Sequence, residues 1–187
     1  AEERGLCRAN GLGMLVAQAK AAAELFLGVR LPDSRVEEIT REMERETHNL
    51  LLIGMPGCGK STVGQALAER LGRQLVDLDE LIERETMRSI PDIFAREGEV
   101  YFRRLEHDAL CRVARESGLV IAAGGGIVTQ PDNLAPMRQN STVIFLKRDV
   151  SLLPVEGRPV SQANNLQELY RRRLPLYEAA CDLEVEN

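Results

Sequence analysis

Short apolar runs alternate with segments of helical periodicity along residues 48–187. Runs of strand length occur at 49–53, 74–77, 119–123, 142–147 and 182–185. Between them, helical spacing of apolar residues predicts helices at 60–71, 79–86, roughly 90–117 with a break near Gly98, and 164–180. Alternating strands and helices indicate a parallel sheet covered on both faces. We therefore predict an α/β fold for this part of the chain.

A different pattern occupies residues 1–47. The stretch "MLVAQAKAAAELFLG" predicts an alanine-rich helix that ends at Gly28, and "LPDSRVEEITREMERE" predicts a second helix capped by Asp33 or Ser34. One face of the second helix carries an apolar stripe, formed by Val36, Ile39 and Met43. Two helices cannot bury a core of their own, so we expect a helical extension that packs on something else.

Composition excludes several classes of protein. The net charge of −5 argues against nucleic acid as a partner, because phosphate backbones require a basic face. No apolar run approaches the roughly 20 residues of a membrane span, and the first residues, "AEER", do not resemble a secretory signal. The cysteines, Cys7, Cys58, Cys111 and Cys181, are scattered without metal-binding spacing, which favours a reduced, cytoplasmic protein. We expect a monomer that acts on a small molecule.

The stretch "GMPGCGKST" at residues 54–62 fits the pattern G-x-x-x-x-G-K-[ST]. A strand precedes it and a helix follows it, as a phosphate-binding loop requires. In such a loop Lys60 reaches the β- and γ-phosphates and the Ser61 hydroxyl binds Mg²⁺. The sequence therefore predicts a nucleotide site whose contacts come from Gly57, Cys58, Gly59, Lys60, Ser61 and Thr62.

Two acids follow the second strand, in "QLVDLDELI". Asp77 and Asp79 are two residues apart, so both side chains can face one site at the carboxyl end of the sheet. Phosphoryl transfer needs one carboxylate near Mg²⁺ and another that orients the acceptor hydroxyl. The alternative, that both acids cap the next helix, stays open from this pair alone.

Further along the chain, arginines and glycines form a second group of candidates. Arg103 and Glu106 lie three apart on a helix, so the acid can steady the guanidinium as a carboxylate fork, unless this face is solvated. Gly124, Gly125 and Gly126 follow the third strand and allow close backbone approach to a ligand, although such runs are often plain turns. Arg158 lies in "EGRPVSQ" and Arg173 ends the run "RRR".

Together these residues resemble the shikimate kinases over residues 49–185. The resemblance rests on "GMPGCGKST", "DLDELIE", "SIPDIFAREGEVYFRRLE", "AAGGGIVT", "GRPVSQ" and "RRRLPLY", which occur in the family's order. It implies a P-loop, nucleoside-monophosphate-kinase-like sheet of strand order 2-3-1-4-5. It also implies that ATP and Mg²⁺ are used to phosphorylate the 3-hydroxyl of shikimate.

The resemblance also implies roles for individual residues. Asp79 would bind the shikimate hydroxyls and activate the 3-hydroxyl, and Asp77 would support Mg²⁺ beside Ser61. Arg103 and Arg173 would bind the shikimate carboxylate. The pocket would be lined by Gly124, Gly125 and Gly126. Arg158 would close over the phosphates as a lid arginine, and would act in catalysis with Lys60 and Asp79.

The chain departs from the family pattern in three places. The segment around Arg158 is short, and no arginine near Ser151 corresponds to the one that often flanks the adenine. The sequence ends just after the last strand, where the family continues into a helix. Residues 1–47 instead resemble the C-terminal end of shikimate dehydrogenases, with Gln18 at the position of a shikimate-binding glutamine, and this suggests a longer fusion protein. An ordinary helical extension is the alternative.

Two other functions remain open at this level. A different small-molecule kinase of the same fold, such as a gluconate kinase, would share most of these motifs. A non-catalytic nucleotide-binding module of a fused enzyme would be expected to lose Lys60, Asp79 or Arg158, and all three are present.

Overall fold

The computed structural model describes residues 11–153 and 166–187. Contacts within the chain divide it into two compact units, with the boundary between Thr47 and His48. Within the described residues, no helix is both long and apolar enough to cross a membrane.

The first unit contains helices α1 (Leu12–Leu27) and α2 (Ser34–Thr47), which pack against each other. Helix α1 ends as predicted at Gly28, whose φ of 66° lets its backbone N–H donate to the carbonyl of Glu24. The Lys20 ammonium donates to Asp33 Oδ1 at 2.6 Å, which ties the connection between the helices to α1. No residue of α2 is buried within this chain.

The second unit is built on five parallel strands in the order β2-β3-β1-β4-β5, so the predicted strand order is confirmed. The strands are β1 (Asn49–Ile53), β2 (Leu75–Asp77), β3 (Val120–Ala122), β4 (Ser141–Lys147) and β5 (Leu183–Glu186). Strand β1 lies at the centre, and its Leu51, Leu52 and Ile53 are fully buried. A continuous apolar run is what a strand covered on both faces requires.

Helices join these strands and cover the sheet. They are α3 (Lys60–Leu71), α4 (Leu78–Thr86), α5 (Ile90–Val113), α6 (Leu134–Gln139) and α7 (Leu166–Ala180). Short 3₁₀ turns occur at Ile127–Thr129, Pro131–Asn133 and Val150–Leu152. Helix α6 was not predicted, because six residues are too few to display a helical period.

Helix α5 carries a break and ends earlier than the periodicity predicted. Gly98 has φ 81° and ψ 174° inside the helix, which confirms the predicted break at this residue. Beyond Val113 the N–H groups of Arg115 and Glu116 bond carbonyls three residues back, so the helix closes as tight turns rather than continuing to residue 117.

Parallel strands place three functional segments at one edge of the sheet. Strand β1 leads into the phosphate loop, β2 into the two acids and β3 into the three glycines. The opposite edge is held by Asn49, whose side chain donates to the Glu116 carbonyl and accepts from the Leu119 N–H, both at 2.8 Å. The fold therefore brings distant parts of the sequence to the carboxyl ends of the strands, where open parallel sheets bind ligands.

Candidate active site

The phosphate loop joins β1 to α3 and brings its backbone close to the end of β4. A side-chain carbon on Gly54 would lie 2.6 Å from the Leu146 carbonyl oxygen, so this position excludes any larger residue. Gly59 precedes α3 with φ 94°, a left-handed conformation that glycine adopts without strain. The first turn of α3 therefore presents its N-terminal N–H groups to the loop, as anion binding requires.

Lys60 is largely buried and folds back over this loop. Its ammonium donates to the carbonyl of Gly54 at 3.0 Å and to that of Met55 at 2.9 Å. The Cys58 sulfur lies 3.8 Å from the same ammonium and is fully buried in the core. Of Cys58, therefore, only the backbone can contact a bound nucleotide.

Asp77 lies at the end of β2 and accepts hydrogen bonds from Ser61, Asp79 and Glu80. Its Oδ2 accepts from the Ser61 hydroxyl at 2.6 Å, while its Oδ1 accepts from the backbone N–H of Asp79 at 3.0 Å and caps α4. The alternative that these acids cap the next helix is therefore correct for Asp77. Its Oδ2, however, faces the phosphate loop. Hydroxyl and carboxylate oxygens are ligands that Mg²⁺ prefers, so this pair fits the metal that the family implies.

Asp79 and Glu106 place two carboxylate oxygens side by side. Asp79 Oδ1 and Glu106 Oε1 are both buried, and neither has a hydrogen-bond partner in the described structure. Burial, followed by the charges of Glu106 and Asp77, raises the pKa of Asp79 from 3.8 to about 6. Burial also raises the pKa of Glu106, although its ion pair with Arg103 opposes this shift. Two buried acceptors without donors indicate a place for ligand hydroxyls.

Arg103 is buried, so the solvated-face alternative from the sequence is wrong. Its Nη1 donates to Glu106 Oε2 at 2.7 Å, and its Nη2 donates to Glu99 Oε1 at 3.0 Å. The two acids differ in surroundings, because the Glu106 side chain is fully buried while that of Glu99 is 55% exposed. Glu106 therefore fixes the guanidinium, and Glu99 can exchange with another carboxylate.

The three glycines after β3 form a floor on which these side chains pack. A side-chain carbon at Gly124 would lie 2.4 Å from Glu106 Oε1 and 2.8 Å from Asp79 Oδ1. At Gly126 it would lie 2.2 Å from Arg103 Nη1. The glycines are therefore required by close contact and do more than form a turn.

Arg173 approaches the same floor from α7. Its Nη1 donates to the Gly125 carbonyl at 3.1 Å, and the Tyr177 hydroxyl donates to the same oxygen. Burial raises the pKa of Tyr177, so this hydroxyl stays protonated and keeps its role as donor. Arg171 and Arg172, the other two arginines of this run, are exposed.

These groups surround one cavity of about 520 Å³. Most of the residues predicted for the site line it, namely Gly57, Gly59, Lys60, Ser61, Thr62, Asp77, Asp79, Arg103, Gly124, Gly125, Gly126 and Arg173. Arg158 lies outside the described residues. A cavity of this size suits a small-molecule ligand rather than a macromolecule.

Several residues of the cavity wall were missed by the sequence analysis. Glu106 was identified only as a partner of Arg103, and Glu83, Phe94 and Phe102 were not assigned to the site. The Glu83 carboxylate accepts from the Ile90 N–H at 2.7 Å and so fixes the start of α5 beside the cavity. The two phenylalanines pack on each other, with ring centroids 4.8 Å apart. Phe94 and Phe102 lie in "SIPDIFAREGEVYFRRLE", one of the stretches that carry the resemblance, and this could have assigned them to the site.

Several known proteins with similar sequences are shikimate kinases. A family model described as shikimate kinase matches residues 56–187. The shikimate kinase of Nitrosomonas europaea is 38% identical over 148 residues, which cover 74% of this chain and 70% of that protein. The shikimate kinase of Dehalococcoides mccartyi is 41% identical over 146 residues, which cover 74% of this chain and 83% of that protein.

Solved structures give the same result. A shikimate kinase from Acinetobacter baumannii in complex with shikimate superimposes with a TM-score of 0.73 at 37% identity, covering 78% of this chain and 87% of that one. The shikimate kinase of Aquifex aeolicus gives a TM-score of 0.65 at 32% identity, covering 74% of this chain and 85% of that one. The chain described here belongs to the shikimate kinase family.

Proposed function

We propose that this chain transfers the γ-phosphoryl group of ATP to the 3-hydroxyl of shikimate. The observation that carries the proposal is the shared cavity, in which a phosphate loop, two acids and two buried arginines meet. Shikimate carries one carboxylate and several hydroxyls, and the cavity offers a cationic group for the first and carboxylate acceptors for the second.

The phosphate loop is the nucleotide-binding part of this proposal. Lys60 would exchange its contacts with the Gly54 and Met55 carbonyls for the β- and γ-phosphate oxygens. Ser61 and Asp77 would hold Mg²⁺, which supplies charge neutralisation on the phosphates when it is bound. Arg158 would add a second cation and help to exclude water.

The substrate carboxylate is assigned to Arg103 and Arg173. Glu99 is exposed and shares the outer edge of the Arg103 guanidinium, so an incoming carboxylate can displace it into solvent. Glu106 stays in place because it is buried on the other side. Arg173 is held by the Gly125 carbonyl and lines the same cavity as Arg103, where it can offer a second guanidinium to the carboxylate.

Asp79 is assigned to the reacting hydroxyl. Its buried Oδ1 lies beside the floor of the cavity without a donor, so a substrate hydroxyl would supply the missing hydrogen bond. As a carboxylate it can orient that hydroxyl and accept its proton as the phosphoryl group is transferred.

The first prediction concerns activity and substrate. ADP release from Mg·ATP in a coupled assay should depend on shikimate and should not be stimulated by gluconate. Asp79→Asn should reduce the shikimate-dependent rate by about 1,000-fold, since a general base commonly contributes 10²–10⁴-fold, while the Kd of ADP stays within about twofold. ATP binding without shikimate-dependent turnover would favour the binding-module alternative, and stimulation by gluconate would favour the other kinase.

The second prediction concerns stability. The Asp79 carboxyl has an ordinary pKa in the unfolded chain and a pKa of about 6 in the folded chain, so folding disfavours its charged form. This penalty is absent below about pH 4, grows between about pH 4 and 6, and is complete above that range. In the ligand-free protein Asp79→Asn should therefore raise the free energy of unfolding by about 3 kcal/mol near pH 7.5.

Urea unfolding at two pH values checks this prediction. The gain should shrink to about 0.5 kcal/mol near pH 4, where the Asp79 carboxyl is protonated in the folded chain and only about half ionised in the unfolded chain. The exposed Asp108 of α5 offers a control, because Asp108→Asn should change stability equally little at both pH values. An equal gain from Asp79→Asn at both pH values would contradict the electrostatic explanation.

The third prediction concerns the glycine floor. In Gly124→Ala the new carbon would overlap Glu106 Oε1 and Asp79 Oδ1, so one or both carboxylates must move. We expect kcat/KM for shikimate to fall by about 100-fold, the loss typical of a misplaced catalytic group, with ADP affinity unchanged. Gly13→Ala is the matched control, because a side-chain carbon at Gly13 would meet no atom within 4 Å. Equal kinetics in the two variants would refute the assigned contact.

We also propose that residues 1–47 correspond to the C-terminal end of a shikimate dehydrogenase. The support is the stretch "GLGMLVAQ", which ends in Gln18. Helix α1 begins within this stretch, and α2 comes after it. The gene should then encode dehydrogenase sequence in frame upstream of residue 1. Sequencing the transcript tests this, and an in-frame stop codon directly upstream would leave only the alternative of a helical extension.

A further inference from the structure

Arg148 follows β4 at the carboxyl edge of the sheet, and no motif assigned it a role. Its Nε is buried and has no hydrogen-bond acceptor in the described structure. Within residues 11–153 and 166–187 no carboxylate forms an ion pair with it. A guanidinium that is partly withdrawn from water without an anion is unfavourable, and such groups mark sites where an anion binds.

The position of Arg148 relative to the phosphate loop identifies that anion. A side-chain carbon on Gly59 would lie 3.8 Å from Arg148 Nη1. Gly59 is the residue that precedes α3, so the guanidinium lies beside the N-terminal end of that helix. Backbone N–H groups, the helix dipole and a cation therefore converge on one side of the loop.

The Asn187 side chain is a second donor beside Gly59. The Asn187 side-chain amide would lie 2.7 Å from the same added carbon, and it donates to the Cys58 carbonyl at 2.6 Å. Asn187 therefore satisfies a loop carbonyl and leaves the Arg148 charge uncompensated. The cavity acids, Asp77 and Asp79, follow β2, which is separated from β4, the strand before Arg148, by β3 and β1.

We propose that Arg148 binds the phosphate chain of the nucleotide. The inference rests on the proposed kinase function and adds to it a cation that reaches the loop from the side of β4. The direction of approach distinguishes Arg148 from Lys60, which lies within the loop, and from Arg158, which lies in the segment assigned to the lid. Its contact with the phosphates would be present before the acceptor binds, because it depends only on the sheet edge and the loop.

The test measures nucleotide binding without the acceptor. The Kd of ADP is determined with a fluorescent ADP analogue for the wild type, Arg148→Gln, Arg148→Lys and the control Arg115→Gln, an exposed arginine beyond the end of α5. Loss of a charge-assisted hydrogen bond should raise the Kd of ADP in Arg148→Gln by about tenfold or more. Arg148→Lys should give a smaller increase, and Arg115→Gln should leave the Kd unchanged.

Displacement of the analogue by inorganic pyrophosphate identifies the part of the nucleotide that is contacted. The affinity for pyrophosphate should fall by the same factor as that for ADP in Arg148→Gln. A weaker ADP complex with unchanged pyrophosphate affinity would place the contact on the nucleoside and overturn the proposal. An unchanged Kd of ADP in either Arg148 variant that retains wild-type affinity for shikimate would overturn it as well.

The outcome is separable from that of the proposed function. If Arg148→Gln weakens ADP while the wild type shows no shikimate-dependent ADP release, the Arg148 assignment holds and the kinase proposal fails. If the wild type turns over shikimate and Arg148→Gln binds ADP normally, the kinase proposal holds and the Arg148 assignment fails. Because Arg148→Lys keeps the charge and most of the bulk, it gives a readout even where Arg148→Gln folds poorly.

Discussion

The arrangement of the cavity depends on the absence of side chains at residues 124–126. Each of these glycines is in contact distance of a different group, and an added carbon would overlap Glu106, Pro56 or Arg103 in turn. The acid, the phosphate loop and the guanidinium can converge only because this backbone is bare. One short segment after β3 thus fixes the spacing between the parts of the site that bind nucleotide and acceptor.

The charges around this floor are balanced unevenly. Arg103 has two carboxylate partners and Arg173 has a carbonyl partner, so the cations are held before any ligand arrives. The acids are different, because Asp79 and Glu106 each keep a buried oxygen that has no donor in the described structure. Such a site is costly to fold and is suited to a ligand that brings its own hydroxyl donors.

Local patterns were sufficient to predict the strands and the phosphate loop, whereas the order of the sheet was predicted from the resemblance to the shikimate kinases. Local patterns also located Arg103 and Glu106 on one helix face, because a separation of three residues fixes their relative direction. Contacts between distant segments could not be predicted in this way. Examples are Tyr177 on the Gly125 carbonyl and Asn49 between β1 and β3, where the partners are separated by 52 and up to 70 residues. Hydrophobic periodicity shows which face of a helix or strand is buried. It does not identify the distant residue that this face contacts.

The contact between Gly125 and Pro56 explains how donor and acceptor sites keep a fixed distance. An added carbon on Gly125 would lie 2.5 Å from Pro56 Cδ, so the floor and the phosphate loop are in direct van der Waals contact. The Gly125 carbonyl is held in turn by Arg173 and Tyr177 from α7. A shift of α7 would therefore move Arg173 and the floor together and would press on the loop. Rigid coupling of this kind is what in-line phosphoryl transfer needs, since the chemistry depends mainly on positioning.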